Sequence, residues 1–135
     1  MAKIRHIAIT AEDPFVTAEL MKQAFGLEEI GRGDSDLARE VYLTDGYINL
    51  AVVCWKRTPQ NPNPYPEGYG LDHFGLQVDD LDSAEARVKR IGATPQPPPN
   101  VDLSKLGGRL FFEKKYTIAG VKFDLSSHGW PVAPE

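Results

Sequence analysis

Two stretches of this chain, 67 residues apart, carry the same pattern of residues. The first is His6-Ile7-Ala8-Ile9 and the second is His73-Phe74-Gly75-Leu76. Each is a short apolar run that contains a histidine, and each is followed by an acidic turn, a helical segment and a glycine (Gly26 and Gly92). An internal repeat of this kind predicts two modules of similar structure, which narrows the possible folds more than any other feature of the chain.

The first half has the residue periodicity of one helix and four strands. Asp13 precedes Pro14 as a helix N-cap precedes a first-turn proline, and Gly26 is a natural stop for that helix. Asp45-Gly46 between two β-branched runs indicates a tight two-residue hairpin. We therefore predict a βαβββ order, with strands at residues 4–10, 28–32, 40–44 and 47–54.

The second half repeats this order after a proline-rich connector at residues 56–70. We predict strands at residues 71–78, 109–116 and 121–126, a helix at 84–91 and a short strand at 93–96. The predicted fold is α+β: one domain over residues 1–135, built from module 1–55 and module 71–128. Their mixed sheets are expected to curl around one cavity, with the connector as its wall or lid.

Composition excludes several classes of function. The 135 residues carry a net charge of −4 without a lysine-arginine run, which argues against a nucleic-acid partner. No segment approaches the roughly 20 apolar residues of a membrane span. Cys54 is the only cysteine, so an intrachain disulfide is impossible. Since the first residues also lack the apolar run of a signal peptide, we expect a cytoplasmic protein.

Four polar residues stand inside otherwise apolar strands at equivalent places in the repeat. His6 and His73 occupy the first strand of each half, and Asn49 and Asp124 occupy the last. Two histidines and a carboxylate suit one divalent ion, and iron, manganese, nickel, cobalt and zinc all remain open. The alternative is that each histidine is a hydrogen-bonded structural group and that the aspartate is paired with a lysine or arginine.

The order of these motifs resembles the vicinal oxygen chelate superfamily. That superfamily includes glyoxalase I, extradiol dioxygenases, methylmalonyl-CoA epimerase and bleomycin resistance proteins. The resemblance runs from Ile4 to about Ser126 and rests on five segments taken in order: Arg5-His6-Ile7-Ala8-Ile9, Asp13-Pro14, Ala24-Phe25-Gly26-Leu27, residues 72–80, and Gly120-Val121-Lys122-Phe123-Asp124-Leu125.

The resemblance implies that His6, His73 and Asp124 are metal ligands, with Asn49 in the fourth position. The family usually has glutamate where Asp124 stands. Asn49 is an amide and cannot act as the carboxylate base of glyoxalase I, although it resembles the glutamine that the epimerase has there.

Three further side chains are considered for the site. Tyr116 corresponds to a tyrosine upstream of the carboxylate in extradiol dioxygenases. His128 follows the last strand, either as a proton donor over the pocket or as an exposed tail residue. Glu113 is an alternative carboxylate that we expect on a solvated face.

Two functions remain open at this stage. The first is a metal-dependent lyase, isomerase or dioxygenase that acts on a small oxygen-rich substrate. The second is a metal-free protein that binds an aromatic drug or metabolite, as bleomycin resistance proteins do. The resemblance also implies a homodimer, and in either case the partner is a small molecule.

Overall fold

The computed structural model describes residues 1–66, 68–96 and 113–134. Along these ranges each half of the chain contains one helix, and the predicted βαβββ order is confirmed in both halves. The elements are β1 (Lys3–Thr10), α1 (Pro14–Phe25), β2 (Glu28–Asp34), β3 (Ala38–Thr44), β4 (Asn49–Trp55), β5 (Leu71–Gln77), α2 (Leu81–Arg90), β6 (Thr94–Pro95), β7 (Lys114–Ile118) and β8 (Val121–Ser126). The prolines at 97–99 and the predicted strand residues 109–112 lie outside the described residues.

The chain divides into two compact units that do not follow the two halves of the sequence. Unit 1 comprises Met1–His6 with His73–Trp130, and unit 2 comprises Ile7–Asp72 with Pro131–Glu135. The boundary falls within β1, so residues 3–6 of this strand belong to unit 1 and residues 7–10 belong to unit 2. His6, His73 and Asp124 therefore share unit 1.

Unit 2 contains helix α1 and strands in the order β2-β3-β4-β1. The predicted N-cap is confirmed, because the Asp13 carboxylate accepts the N–H groups of Phe15 and Val16. The helix ends at Gly26, whose φ of 69° is the left-handed conformation that glycine adopts without strain. The helix packs against β3 and β4, and its buried contacts include Ala18, Val41, Leu43 and Val52.

The β3–β4 connection differs from the predicted two-residue hairpin. Thr44 pairs with Asn49, so four residues form the loop. The Asp45 carboxylate accepts the N–H groups of Tyr47 and Ile48, and the Thr44 hydroxyl donates to the Ile48 carbonyl. These side-chain hydrogen bonds replace the main-chain pairing that a two-residue turn would have required.

Unit 1 contains helix α2 and strands in the order β1-β5-β8-β7-β6. Its sheet is mixed, since β5 and β8 are parallel whereas β8, β7 and β6 pair antiparallel. The helix begins earlier than predicted, with Asp80 as N-cap accepting the Ser83 N–H, and packs against β8. The buried apolar residues of this unit are Val78, Ala84, Ala93, Tyr116, Phe123 and Leu125.

The turn between β7 and β8 determines which side chains meet at the site. Ile118 pairs with Val121, so the turn consists only of Ala119 and Gly120, both with positive φ (50° and 81°). Two residues with positive φ suit the right-handed twist of a hairpin. The resulting register places Lys115 opposite Asp124. Neither described helix is long and apolar enough to cross a membrane.

Candidate metal centre

Three strands of unit 1 bring His6, His73 and Asp124 together. Gly75 of β5 pairs with Asp124 of β8, and His73 lies two residues before Gly75, so both side chains point to the same face of the sheet. The three side chains are buried, with exposed fractions of 4%, 9% and 2%. One donor atom from each lies within 4.8 Å of the other two.

Two of the three donor spacings match those around a single divalent ion. The two Nε2 atoms of His6 and His73 are 3.3 Å apart, and His73 Nε2 is 3.1 Å from Asp124 Oδ2. Ligands that bind at about 2.1 Å from one metal are separated by about 3.0 Å at right angles and about 3.4 Å in a tetrahedron. Lone pairs at this distance also repel unless a proton or a cation lies between them. The residue types and these two separations therefore fit a metal ion, and the third separation, between His6 and Asp124, is at most 4.8 Å.

Lys115 of β7 contacts the same carboxylate. Its Nζ atom lies 3.0 Å from Asp124 Oδ2 and 3.2 Å from Oδ1. The same Nζ is 3.3 Å from Glu113 Oε2, so one ammonium group contacts two carboxylates. The pairing of a buried aspartate with a lysine, the alternative interpretation of the sequence, is thus present together with the ligand set. Sequence reasoning missed Lys115 itself.

Burial and pairing act in opposite directions on these charges. Burial opposes ionisation of Asp124, but the hydrogen bond from His73 and the Lys115 cation hold its pKa below the ordinary value. Burial lowers the pKa of Lys115, but the Asp124 and Glu113 carboxylates raise it above the ordinary value. Burial raises the pKa of Glu113 despite the nearby Lys115 cation. Asp124 and Lys115 therefore form an ion pair at neutral pH.

The expectation that Glu113 lies on a solvated face is wrong. Its side chain is only 9% exposed, and its Oε1 accepts a hydrogen bond of 2.5 Å from Trp130 Nε1. Residues 113 and 115 alternate with Lys114, so both point to the face that carries Asp124. The charged residues of this segment suggested a solvated face, whereas the Glu113 and Asp124 carboxylates are buried and share the partly exposed Lys115 ammonium group.

Trp130 covers the site from one side. Its ring stacks on the His6 imidazole with centroids 5.0 Å apart and planes inclined by 10°. Gly75 makes this packing possible, because a Cβ there would lie 2.6 Å from two Trp130 ring carbons and 2.9 Å from the His6 Cβ. The orientation of the His6 imidazole therefore depends on Trp130 and on the absence of a side chain at position 75.

The structure does not bring Tyr116 to this cluster. Tyr116 pairs with Phe123 on the opposite side of β7 and β8, among the apolar core residues of unit 1. Its hydroxyl donates to Glu85 Oε1 of helix α2 at 2.5 Å. Burial and this hydrogen bond raise the pKa of Tyr116 to about 12. The side chain thus faces α2 instead of the three metal-ligand candidates.

The two remaining candidates for the site are His128 and Asn49. His128 is exposed, and its main-chain N–H donates to the Ser126 hydroxyl. Asn49 lies in unit 2, where it is 2% exposed and its Nδ2 donates to the Pro131 carbonyl at 2.8 Å. The fourth-ligand position for Asn49 stays a prediction.

Comparison with known proteins gives a family match along most of the chain. The sequence profile described as Glyoxalase/Bleomycin resistance protein/Dioxygenase superfamily matches residues 3–115. A relative from Vibrio parahaemolyticus, named "Probable D-serine dehydratase", is 32% identical over 106 residues. That match covers 68% of this chain but only 23% of the relative, so the chain spans about a quarter of that protein's length.

Solved structures share the fold at low sequence identity. A hypothetical protein from Bacillus halodurans C-125 is 16% identical, with a TM-score of 0.69 and 93% coverage of both chains. A methylmalonyl-CoA epimerase in complex with methylmalonyl-CoA and NH4+ is 18% identical, with a TM-score of 0.68 and coverage of 100% and 99%. The Mycobacterium tuberculosis methylmalonyl-CoA epimerase is 17% identical, with a TM-score of 0.66 and coverage of 98% and 87%. The predicted glyoxalase-like fold is confirmed.

Proposed function

The chain belongs to the glyoxalase/bleomycin resistance protein/dioxygenase superfamily, and from that membership we propose that it is an enzyme dependent on one divalent metal ion. The ion would be held by His6, His73 and Asp124, and the substrate would be a small oxygen-rich molecule. The observation that carries the proposal is the convergence of two imidazole nitrogens and one carboxylate oxygen, all buried, within 4.8 Å.

A divalent ion at this centre would supply Lewis-acid stabilisation of negative charge on substrate oxygens. The protein residues prepare the centre for it. Stacking on Trp130 limits rotation of the His6 imidazole. The lowered pKa of Asp124 keeps a carboxylate available at neutral pH. The burial of all three donors excludes water and strengthens each electrostatic interaction.

Among the reaction types of the superfamily, we favour isomerisation, in which a proton passes from a carbon next to a carbonyl group to a base and then returns to the carbon; His128 is our candidate for that base. Such a reaction needs stabilisation of negative charge on substrate oxygens, which this donor set suits. The similar folds of the methylmalonyl-CoA epimerases agree with this class. We assign Asn49 an orienting role toward substrate, because an amide has no usable proton affinity near neutral pH.

Metal analysis tests the proposal. The protein, purified without a histidine tag, is incubated separately with iron(II), manganese, nickel, cobalt and zinc salts, dialysed, and measured by elemental analysis. We expect about one ion per chain in wild type, and loss of that ion in His73→Ala without loss of fold. His128→Ala is the matched control, because it removes an exposed histidine and should leave metal content unchanged. A folded wild type that retains none of the five metals would refute the proposal.

A second candidate function is a metal-free binding protein. The observation that favours it is the Lys115 ammonium group on both oxygens of Asp124, which neutralises this carboxylate without any metal. In that case the wild type should retain no metal, and His73→Ala should leave the binding of small aromatic molecules unchanged.

A further inference from the structure

We propose that Lys115 competes with the metal ion for Asp124: its ammonium group neutralises Asp124 in the metal-free protein and moves fully to Glu113 when a divalent ion binds. This inference rests on the proposed metal dependence. It adds a role for Lys115 and Glu113, which are not among the three ligands, in determining how tightly the ion is held.

The position of the ammonium group supports an exchange. Lys115 Nζ lies 3.0 Å from Asp124 Oδ2, and this oxygen is also the one 3.1 Å from His73 Nε2. Because this oxygen faces His73, an ion held by His73 and Asp124 would compete with Lys115 for it. Two cations on one carboxylate oxygen repel each other, so metal binding has to displace Lys115 from Oδ2.

Glu113 offers a second position for the displaced ammonium group. Its Oε2 is already 3.3 Å from Lys115 Nζ, so only a small movement of the flexible lysine side chain is required. The hydrogen bond from Trp130 Nε1 to Oε1 holds the glutamate in place. Because the glutamate is buried, ionised Glu113 has a stronger need for a cationic partner than a surface glutamate would have.

If Lys115 only supported the metal ligand Asp124, removal of Lys115 would weaken metal binding, whereas removal of a competitor would strengthen it. Partners that orient a metal ligand usually increase affinity, and their removal weakens metal binding by about 10–100-fold. A competitor lowers affinity, so its removal should strengthen metal binding. The direction of the change therefore separates the two roles.

Titration calorimetry of the full chain with zinc or manganese ions measures whether the dissociation constant rises or falls. We expect Lys115→Met to bind the ion at least about tenfold more tightly than wild type, because the competing charge is gone while the side-chain volume is kept. Lys114→Met is the matched control: Lys114 is the neighbouring, exposed lysine of β7 and should leave the dissociation constant unchanged.

Glu113→Gln provides an independent test of the second position. Among the described residues, Asp124 is then the remaining carboxylate next to Lys115, so the ion should bind more weakly than in wild type. In a Lys115→Met background the same Glu113→Gln change should have a much smaller effect, because no ammonium group is left to relocate. The cycle of four proteins isolates the coupling of the two residues from a general loss of negative charge.

The outcomes distinguish the inference from the proposed function. If wild type binds the ion and Lys115→Met binds it equally or more weakly, the competitor role is overturned while metal dependence stands. If Lys115→Met does not fold, the Glu113→Gln protein decides, because metal binding as tight as in wild type would overturn the exchange. If neither folded wild type nor any variant binds zinc or manganese ions, and elemental analysis agrees for the other metals, both proposals are refuted.

Discussion

Substitution of Gly75 by alanine tests how closely the candidate metal centre is packed. The backbone at Gly75 does not have the positive φ that restricts a position to glycine, so alanine can adopt its conformation. The difficulty is that neighbouring side chains leave no room for a methyl group at this position. The new methyl group would lie 2.6 Å from two ring carbons of Trp130 and 2.9 Å from the Cβ of His6. Ordinary carbon–carbon contacts are about 3.5–4.0 Å, so the ring has to move by about 1 Å.

The expected loss of stability follows from two opposing effects. Overpacking in a well-packed region costs about 1–3 kcal/mol. Alanine gains about 0.5–1 kcal/mol over glycine in a strand, because less backbone entropy is lost on folding. We place Gly75→Ala at the upper end of the overpacking range, since a rigid indole ring and a strand Cβ are the obstacles. The net loss is then about 2 kcal/mol, or a melting temperature about 6–10 °C lower.

Urea unfolding followed by circular dichroism measures this change. Gly33→Ala is the matched control, because Gly33 is also a strand glycine without positive φ. The three atoms nearest to its new Cβ all belong to the flexible Glu40 side chain, with Oε1 at 3.1 Å. The same Gly75→Ala change in a Trp130→Ala background should cost about 1 kcal/mol less, since the closest obstacle is gone. We also expect weaker metal binding by Gly75→Ala, because His6 shares the contact.

Two results would contradict this reasoning. One is a Gly75→Ala protein as stable as the Gly33→Ala control. The other is an unchanged cost of Gly75→Ala in the absence of Trp130. In either case the indole ring would not be packed on the strand at Gly75, and the stacking on His6 would lose its structural basis.

Three further predictions follow from the described contacts. Asn49→Gln should retain substantial activity, measured as turnover once a substrate is known, with metal content as the control. A loss of turnover by several orders of magnitude at unchanged metal content would contradict an orienting role for Asn49. Tyr116→Phe should leave metal content unchanged. Because burial and Glu85 raise the pKa of Tyr116 to about 12 from 10.0, the folded state loses stability as the pH rises through that interval. Burial raises the pKa of Tyr65 as well, so ultraviolet absorbance titration should show one fewer late-titrating tyrosine in the variant than in wild type. Tyr65→Phe should lower the free energy of unfolding by about 1 kcal/mol, because the Tyr65 hydroxyl donates a hydrogen bond to the Trp55 carbonyl. Tyr69→Phe is the control and should leave the free energy of unfolding unchanged, since Tyr69 is half-exposed. Equal urea midpoints for the two variants would contradict a stabilising role for the Tyr65 hydroxyl.

Much of the fold could be predicted because its signals are local. A capping aspartate before a first-turn proline and a glycine with φ of 69° set the limits of α1 through hydrogen bonds within a few residues. The repeated histidine pattern indicated two equivalent strands, and the structure brings His6 and His73 together with Asp124. These predictions succeeded because they depended on neighbouring residues or on the repeat.

The residues that contact the three candidate ligands could not be predicted in the same way. Period-2 alternation shows which residues of a strand share a face, but it does not show which face is buried or which residues lie opposite on the next strand. The penultimate strand, predicted to end at residue 116, continues to Ile118, and the chain then turns through Ala119 and Gly120. Only that two-residue turn places Lys115 opposite Asp124.

Residue patterns alone thus predicted the order of elements and a set of two histidines and one aspartate suited to a metal ion. The tertiary structure decided the charges around them. It buried Glu113 beneath Trp130, turned Tyr116 toward Glu85 in the core, and set Lys115 on Asp124. The physical reason is that residue type restricts the chemistry of a side chain, whereas strand register and burial, which arise from packing of the whole chain, select its partners.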